Sequence, residues 1–171
     1  MIYAPERPPG FGSVETLYQE IFRDYFAGQN LTIETLYTEG MQTPIIVARQ
    51  DRRSGTLALH SNDDRFLMSA IISVNTITMG SDADDDAAYL QEACRLALRR
   101  AQRLQLDIPN GGVINSMEVS THPAKANDWQ TATSVVQYAS LPKEAVRFES
   151  IYRMLIRPPE QSTIINPFLP R

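Results

Sequence analysis

Apolar and polar positions alternate between Phe66 and Thr78, with Phe66, Met68, Ala70, Ile72 and Val74 on one parity and Ser69, Ser73 and Asn75 on the other. A period of two predicts a half-buried strand. Gly80, Ser81 and Asp82 break the alternation, and Ala87, Leu90, Cys94, Ala97, Ala101 and Leu104 then recur at spacings of three and four. That period predicts a long helix, and its small Ala and Cys side chains let it lie close on a sheet. Arg95, Arg99 and Arg103 form a solvated row on the far face.

The rest of the chain is read against this strand and helix. Ser13 is placed to cap a helix whose apolar stripe is Val14, Leu17, Tyr18, Ile21, Phe22 and Tyr25, ending near Gly28. Residues 29–42, with Leu31, Ile33 and Leu36, fit either a short strand or an irregular crossing. Pro44-Ile45-Ile46-Val47-Ala48 is apolar on both parities, so it belongs in the covered middle of a sheet, with Pro44 at its entrance. The charged stretch from Gln50 to Arg65 reads as a long loop or projecting hairpin. Val113 to Thr121 alternates again and is expected to stop at Pro123. Residues 123–144, anchored by Trp129 and Tyr138, are expected to cover a sheet edge. Val146, Phe148, Tyr152, Met154 and Ile156 then share one face of a final strand, with Arg147, Glu149, Arg153 and Arg157 largely on the other.

The predicted architecture is α+β: a mostly antiparallel sheet of four to five strands covered on one face by two helices. Seven of the eleven prolines fall in the two ends, at positions 5, 8, 9, 158, 159, 167 and 170. Proline fixes φ and donates no backbone hydrogen bond, so residues 1–12 and 158–171 are expected to be stiff extended arms around one domain at 13–157. Tyr3 and Phe11 are the apolar anchors of the first arm, and Ile164, Ile165, Phe168 and Leu169 those of the second.

Composition narrows the function. A chain of 171 residues, 43% apolar, suits a single core and carries no run long enough to span a membrane. The first residues lack the basic start and apolar stretch of a secretory signal. A net charge of −4 argues against general adhesion to nucleic acid. The single cysteine, Cys94, lies on the apolar helix face, where packing is the simpler role.

Four stretches carry residue types capable of chemistry. Asp82, Asp84, Asp85 and Asp86 put four carboxylates within five residues, yet a calcium loop read from Asp82 would have Ala87 where glycine is required and Ala93 where the bidentate glutamate belongs. The same residues suit the first turn of a helix, where they face unpaired N–H groups and the positive end of the macrodipole. His60 and His122 lie on separate segments without a ligand pattern. Gly111-Gly112 precedes a strand and reads as a turn, not a phosphate cradle. Asp51-Arg52-Arg53 is a mixed-charge loop tip. These residues assemble no catalytic or metal-binding constellation, and the expectation is a protein that is not an enzyme and carries no cofactor.

Four pieces in order resemble the tail terminator proteins of long, non-contractile-tailed bacteriophages, in particular those of actinobacterial phages. They are Pro44-Ile45-Ile46-Val47; Asp64-Arg65-Phe66 leading into the second strand; the alanine-faced helix from Ala87 to Leu104; and Val146-Arg147-Phe148-Glu149-Ser150-Ile151-Tyr152-Arg153. Asp128-Trp129, Val136-Gln137-Tyr138 and Leu141-Pro142 are similar as well. The resemblance implies a hexameric ring at the head-proximal end of the tail tube. Such a ring ends polymerisation of the major tail tube protein, docks the head–tail connector protein and passes DNA through its lumen. The chain departs from compact members in its 50–65 segment, its helix at 14–27 and its arms. On this reading Arg52 and Arg53 are expected at an inter-subunit or tube-facing loop, and Phe168 and Leu169 in a neighbouring subunit. The rival expectations are a head-closure connector of the same neck, and a small-molecule enzyme on a ferredoxin-like sheet, which would need a deep pocket with convergent polar groups.

Overall fold

A computed structural model describes residues 13–50, 67–126, 141–142 and 144–157. Two helices, α1 (Val14–Tyr25) and α2 (Ala83–Leu104), lie on one face of a five-stranded sheet. The strands are β1 (Thr32–Glu34), β2 (Ile45–Gln50), β3 (Met68–Thr78), β4 (Val113–Lys125) and β5 (Val146–Arg157), in spatial order β1-β2-β3-β5-β4. All pairs are antiparallel except β1 with β2, so the architecture is α+β with a mixed sheet.

Local sequence accounts for most boundaries. Ser13 caps α1, its side chain accepting from the Thr16 amide at 3.5 Å, and Val14, Leu17, Tyr18, Ile21 and Phe22 are buried beneath. Residues 29–42 resolve into a three-residue strand, β1, followed by a crossing in which Tyr37 is buried. Pro44 stands just before β2 and costs it nothing: its carbonyl still accepts from the Thr32 amide at 3.0 Å. The two parities of β2 are covered separately, since Ile46 and Ala48 face the helices while Ile45 and Val47 pack with Tyr37, Ile77, Leu141 and Ala145 on the opposite face.

Two expectations are corrected. β4 does not stop at Pro123 but continues to Lys125, with a register shift between Thr121 and Ala124. Proline is tolerated there because β4 is the outermost strand and the irregularity removes the need for its amide. Leu141 and Ala145 pack with Ile45, Val47 and Ile77 on the sheet face away from the helices, while Trp129 and Tyr138, the expected anchors of residues 123–144, lie outside the described residues. Asp82 occupies the N-cap of α2 but its side chain makes no capping bond. Asp84 instead pairs with Lys125 at 2.6 Å, while Asp85 and Asp86 remain in the first turn.

The helix and sheet are held close by an unusual set of polar bonds. Thr76 and Thr78 on β3 donate to the main-chain carbonyls of Ala87 and Ala83, at 3.0 and 2.6 Å. Gln91, fully buried, donates to the carbonyls of Val74 and Phe148 at 2.9 and 3.0 Å and accepts from Ser150 Oγ at 2.6 Å. Ala83, Ala87, Cys94, Ala97 and Ala101 are the small buried side chains that permit this approach.

At the far end of α2 the chain turns through Gly111 and Gly112. A Cβ on Gly111 would lie 2.9 Å from the Cα of Leu17, so α1 rests directly on this backbone. Gly112 has φ of +101°, and a Cβ there would stand 2.4 Å from the Arg157 carbonyl oxygen. Gly112→Ala is expected to cost at least about 2 kcal/mol, combining backbone strain with displacement of β5. Urea unfolding against the parent chain measures it, and an unchanged midpoint would contradict this packing. Burial also pushes the Cys94 thiol well above its ordinary pKa. Iodoacetamide should therefore leave Cys94 unmodified in the native protein and alkylate it at the rate of unfolding; rapid native labelling would show that α2 does not stay seated.

Candidate functional site

The two helices differ in length, and the difference creates the most distinctive surface among the described residues. At 1.5 Å per residue, the 22 residues of α2 span about 33 Å and the 12 of α1 about 18 Å. They run antiparallel: Leu17 lies by the turn after α2, and Asp24 meets Arg100 at 2.8 Å. Where α1 stops at Tyr25, the N-terminal half of α2 continues without a helical neighbour. A groove of about 660 Å³ opens there.

Its walls come from three elements. The end of α1 supplies Tyr25 and Phe26, whose rings meet edge to face at a centroid distance of 5.1 Å. The sheet end supplies Leu31, Pro44, Thr78 and Met79, and α2 supplies Asp86, Tyr89, Leu90, Ala93 and Leu96. Tyr89 is 78% exposed, Leu96 44% and Met79 39%. Contiguous exposed apolar groups of this size mark an interaction surface more often than a free one.

The groove corrects two assignments to the core. Tyr25 was expected in the buried stripe of α1 but is 36% exposed at the groove. Leu104 was expected on the packed face of α2 but is 58% exposed. Each residue advances about 100° round a helix, so Leu104 falls at the margin of the buried arc, on the flank shared by Tyr89, Ala93 and Leu96. The signal for this flank was present in the sequence as a second stripe, Tyr89, Ala93, Leu96 and Arg100, spaced four, three and four.

The arginine row borders the groove beyond Leu96. Tyr25, Leu96, Arg95, Arg99, Arg100 and Arg103 line a second hollow of about 350 Å³. Arg95 binds Glu92 through both carboxylate oxygens and holds that carboxyl below its ordinary pKa. Arg99 donates to Gln102 at 3.2 Å, and Arg103 is exposed. One end of the α2 outer surface is therefore basic, while the other, at Asp84 to Asp86, is acidic.

A polar cluster occupies the opposite face of the sheet. Arg147, 5% exposed, donates to Asn75 Oδ1 at 2.6 Å; Asn75 donates to Ser73 Oγ at 2.9 Å, and Ser73 to Glu149 at 2.7 Å. This chain of bonds ties β3 to β5 and gives the buried Arg147 guanidinium a partner through one terminal nitrogen. His122 is exposed on β4. Among the described residues no group of three or more His, Cys, Asp or Glu could hold a metal ion, and no helix is long and apolar enough to cross a membrane. Tyr3, Phe11, Arg52, Arg53, Phe168 and Leu169, the interface residues expected from sequence, lie outside the described residues, as do His60, Trp129 and Tyr138.

The fold and groove together define an α+β protein with an aromatic-lined surface cleft on its helical layer. No protein-family model matches the chain, and no curated protein matches it in sequence.

If the exposed groove side chains serve contact and not folding, Tyr89→Ala and Leu96→Ala should each change stability by no more than about 0.5 kcal/mol. Leu98→Ala, at a fully buried position, should cost about 2–5 kcal/mol. Chemical denaturation of the three variants checks the contrast, and comparable losses would return the groove to the core.

Proposed function

We propose that the protein is a structural component of a bacteriophage virion, a ring at the head-proximal end of the tail tube that ends tube polymerisation and joins the tail to the head connector. One observation carries the reading. Three of the four pieces of sequence that resemble tail terminators fall on β2, α2 and β5, and the fourth, Asp64-Arg65-Phe66, lies outside the described residues and precedes β3 in the chain. These are not scattered: β2, β3 and β5 are consecutive neighbours in the sheet, and α2 packs on it. Within the described residues the resemblance thus falls on one contiguous unit.

The exposed groove supports the same reading from a different direction. A subunit of a closed ring must bury surface on two sides, and its partners are other copies and the tube. Open apolar surface on the helical layer suits such contacts. The partners proposed are further copies in a hexamer, the major tail tube protein and the head–tail connector protein, with DNA passing through the lumen without sequence-specific contacts.

Electron microscopy of particles assembled without this protein tests the assignment. Tails of uncontrolled length are the expected outcome. Tails of normal length that fail to join heads would overturn it and place the protein in the neck as a head-closure connector.

A further inference from the structure

We infer that the outer face of α2 is a self-complementary contact on which a second copy of this chain lies antiparallel, related by a two-fold axis that passes between Glu92 and Ala93. A two-fold contact uses the same patch on both copies and closes on two of them, so it builds no ring and does not rest on the proposed place in a virion. In the unassembled chain it would shield the surface that the ring reading gives to other partners.

The order of residues along the helix carries it. From the N-cap onward the outward positions run acidic, apolar, basic: Asp82, Asp85 and Asp86, then Tyr89 and Leu96, then Arg99, Arg100 and Arg103. All are exposed except Arg99, which is half-buried. Asp82 and Arg103 stand equally far from the midpoint between Glu92 and Ala93, as do Tyr89 and Leu96, and the pair Asp85-Asp86 is matched in the same way by Arg99-Arg100. Turned end for end, a second helix therefore sets a base against each acid and Leu96 against Tyr89, and every such pairing occurs twice.

The same order selects this arrangement over others. Parallel pairing in register would lay acid on acid and base on base. Joining the end of one helix to the start of the next would match the charges but leave Tyr89, 78% exposed, and Leu96, 44% exposed, uncovered. Acids early and bases late in a helix also suit its macrodipole, which accounts for the charges and not for an exposed tyrosine and leucine midway between them. A foreign partner would need the same three zones in the same register, and the chain itself already carries them.

The midpoint tolerates close approach. Ala93 is small, and Glu92 is already held by Arg95 through both carboxylate oxygens, so the two copies of Glu92 meet as ion pairs and not as bare charges. Among the described residues no ion pair engages Asp82, Asp85, Asp86 or Arg103. Arg100 holds Asp24 at 2.8 Å with its side chain 47% exposed, and a guanidinium has donors to spare for a second carboxylate. A strip about 33 Å long and about 10 Å wide covers about 330 Å² per copy, under half of the about 800 Å² per partner in a stable complex. The pair is therefore weak and forms only at high concentration.

Sedimentation velocity of the full-length chain from about 1 to about 200 µM tests the proposal. Monomer is expected at the low end and dimer at the high end, and a chain that stays monomeric throughout overturns it. Asp82→Arg with Asp86→Arg in one chain, and Arg99→Asp with Arg103→Asp in another, should each weaken association at least about tenfold. An equimolar mixture of the two should restore it, because their opposed ends match again; no recovery overturns the charge register. Tyr89→Ala keeps every charge and should weaken association at least about fivefold, so a charge variant found misfolded by circular dichroism leaves this one to decide, and an unchanged dimer overturns the contact. Orientation is read by mild oxidation. Chains carrying Ala93→Cys should form a disulfide-linked dimer and chains carrying Asp82→Cys should not, since the two copies of position 82 stand about 32 Å apart; the reverse pattern overturns the antiparallel arrangement.

Discussion

The close seating of α2 on β3 and β5 is the constraint from which the rest of the structure follows. Helix and sheet normally meet through side chains alone. Here two strand threonines and one helical glutamine cross the interface to main-chain carbonyls. Such bonds contribute about 0.5–1.5 kcal/mol each net, and a buried partner left unpaired costs more than the bond gains. They therefore hold α2 in one register as well as at one distance. Larger side chains at Ala87 or Cys94 would separate the layers and leave all four bonds unmade.

With α2 fixed, α1 has one place to go. Gly111 lets the backbone of α1 approach the turn after α2, and Asp24 with Arg100 marks the other end of their contact. The helix is too short to cover the N-terminal half of its partner. Tyr25, Tyr89, Leu96 and Met79 are left around an open cleft, not because they are weakly apolar but because no described element reaches them. The sheet's other face is treated differently. Tyr37, Leu141 and Ala145 cover one end, and the hydrogen-bonded chain of Arg147, Asn75, Ser73 and Glu149 lies on the same face. Among the described residues, the exposed apolar side chains of the groove therefore lie on the helical side of the sheet.

Most of the elements were legible in the pattern of residues. Ser13 announced α1, the change of period after Asp82 announced α2, and the doubly apolar run before Arg49 announced a strand covered on both faces. Less was legible wherever a neighbour decides the outcome. Pro123 stops a central strand but not an outermost one, and nothing local says which β4 is. Arg147 alternates as an outward residue, yet Asn75 and Glu149 lie beside it only once β3 and β5 have paired. The groove was half visible: its stripe on α2 could be counted, but the shortness of α1 relative to α2 matters only when the two lie side by side.

The order of residues by itself determined the periods, the Ser13 cap and the small-residue face of α2. These depend on neighbours within a few positions of one another. Tertiary structure decided which apolar residues are covered, because cover comes from another element's length and place. Tyr25 and Leu104 match the spacing of the buried stripes and are exposed all the same, since periodicity states which way a side chain faces and not whether anything is there to meet it.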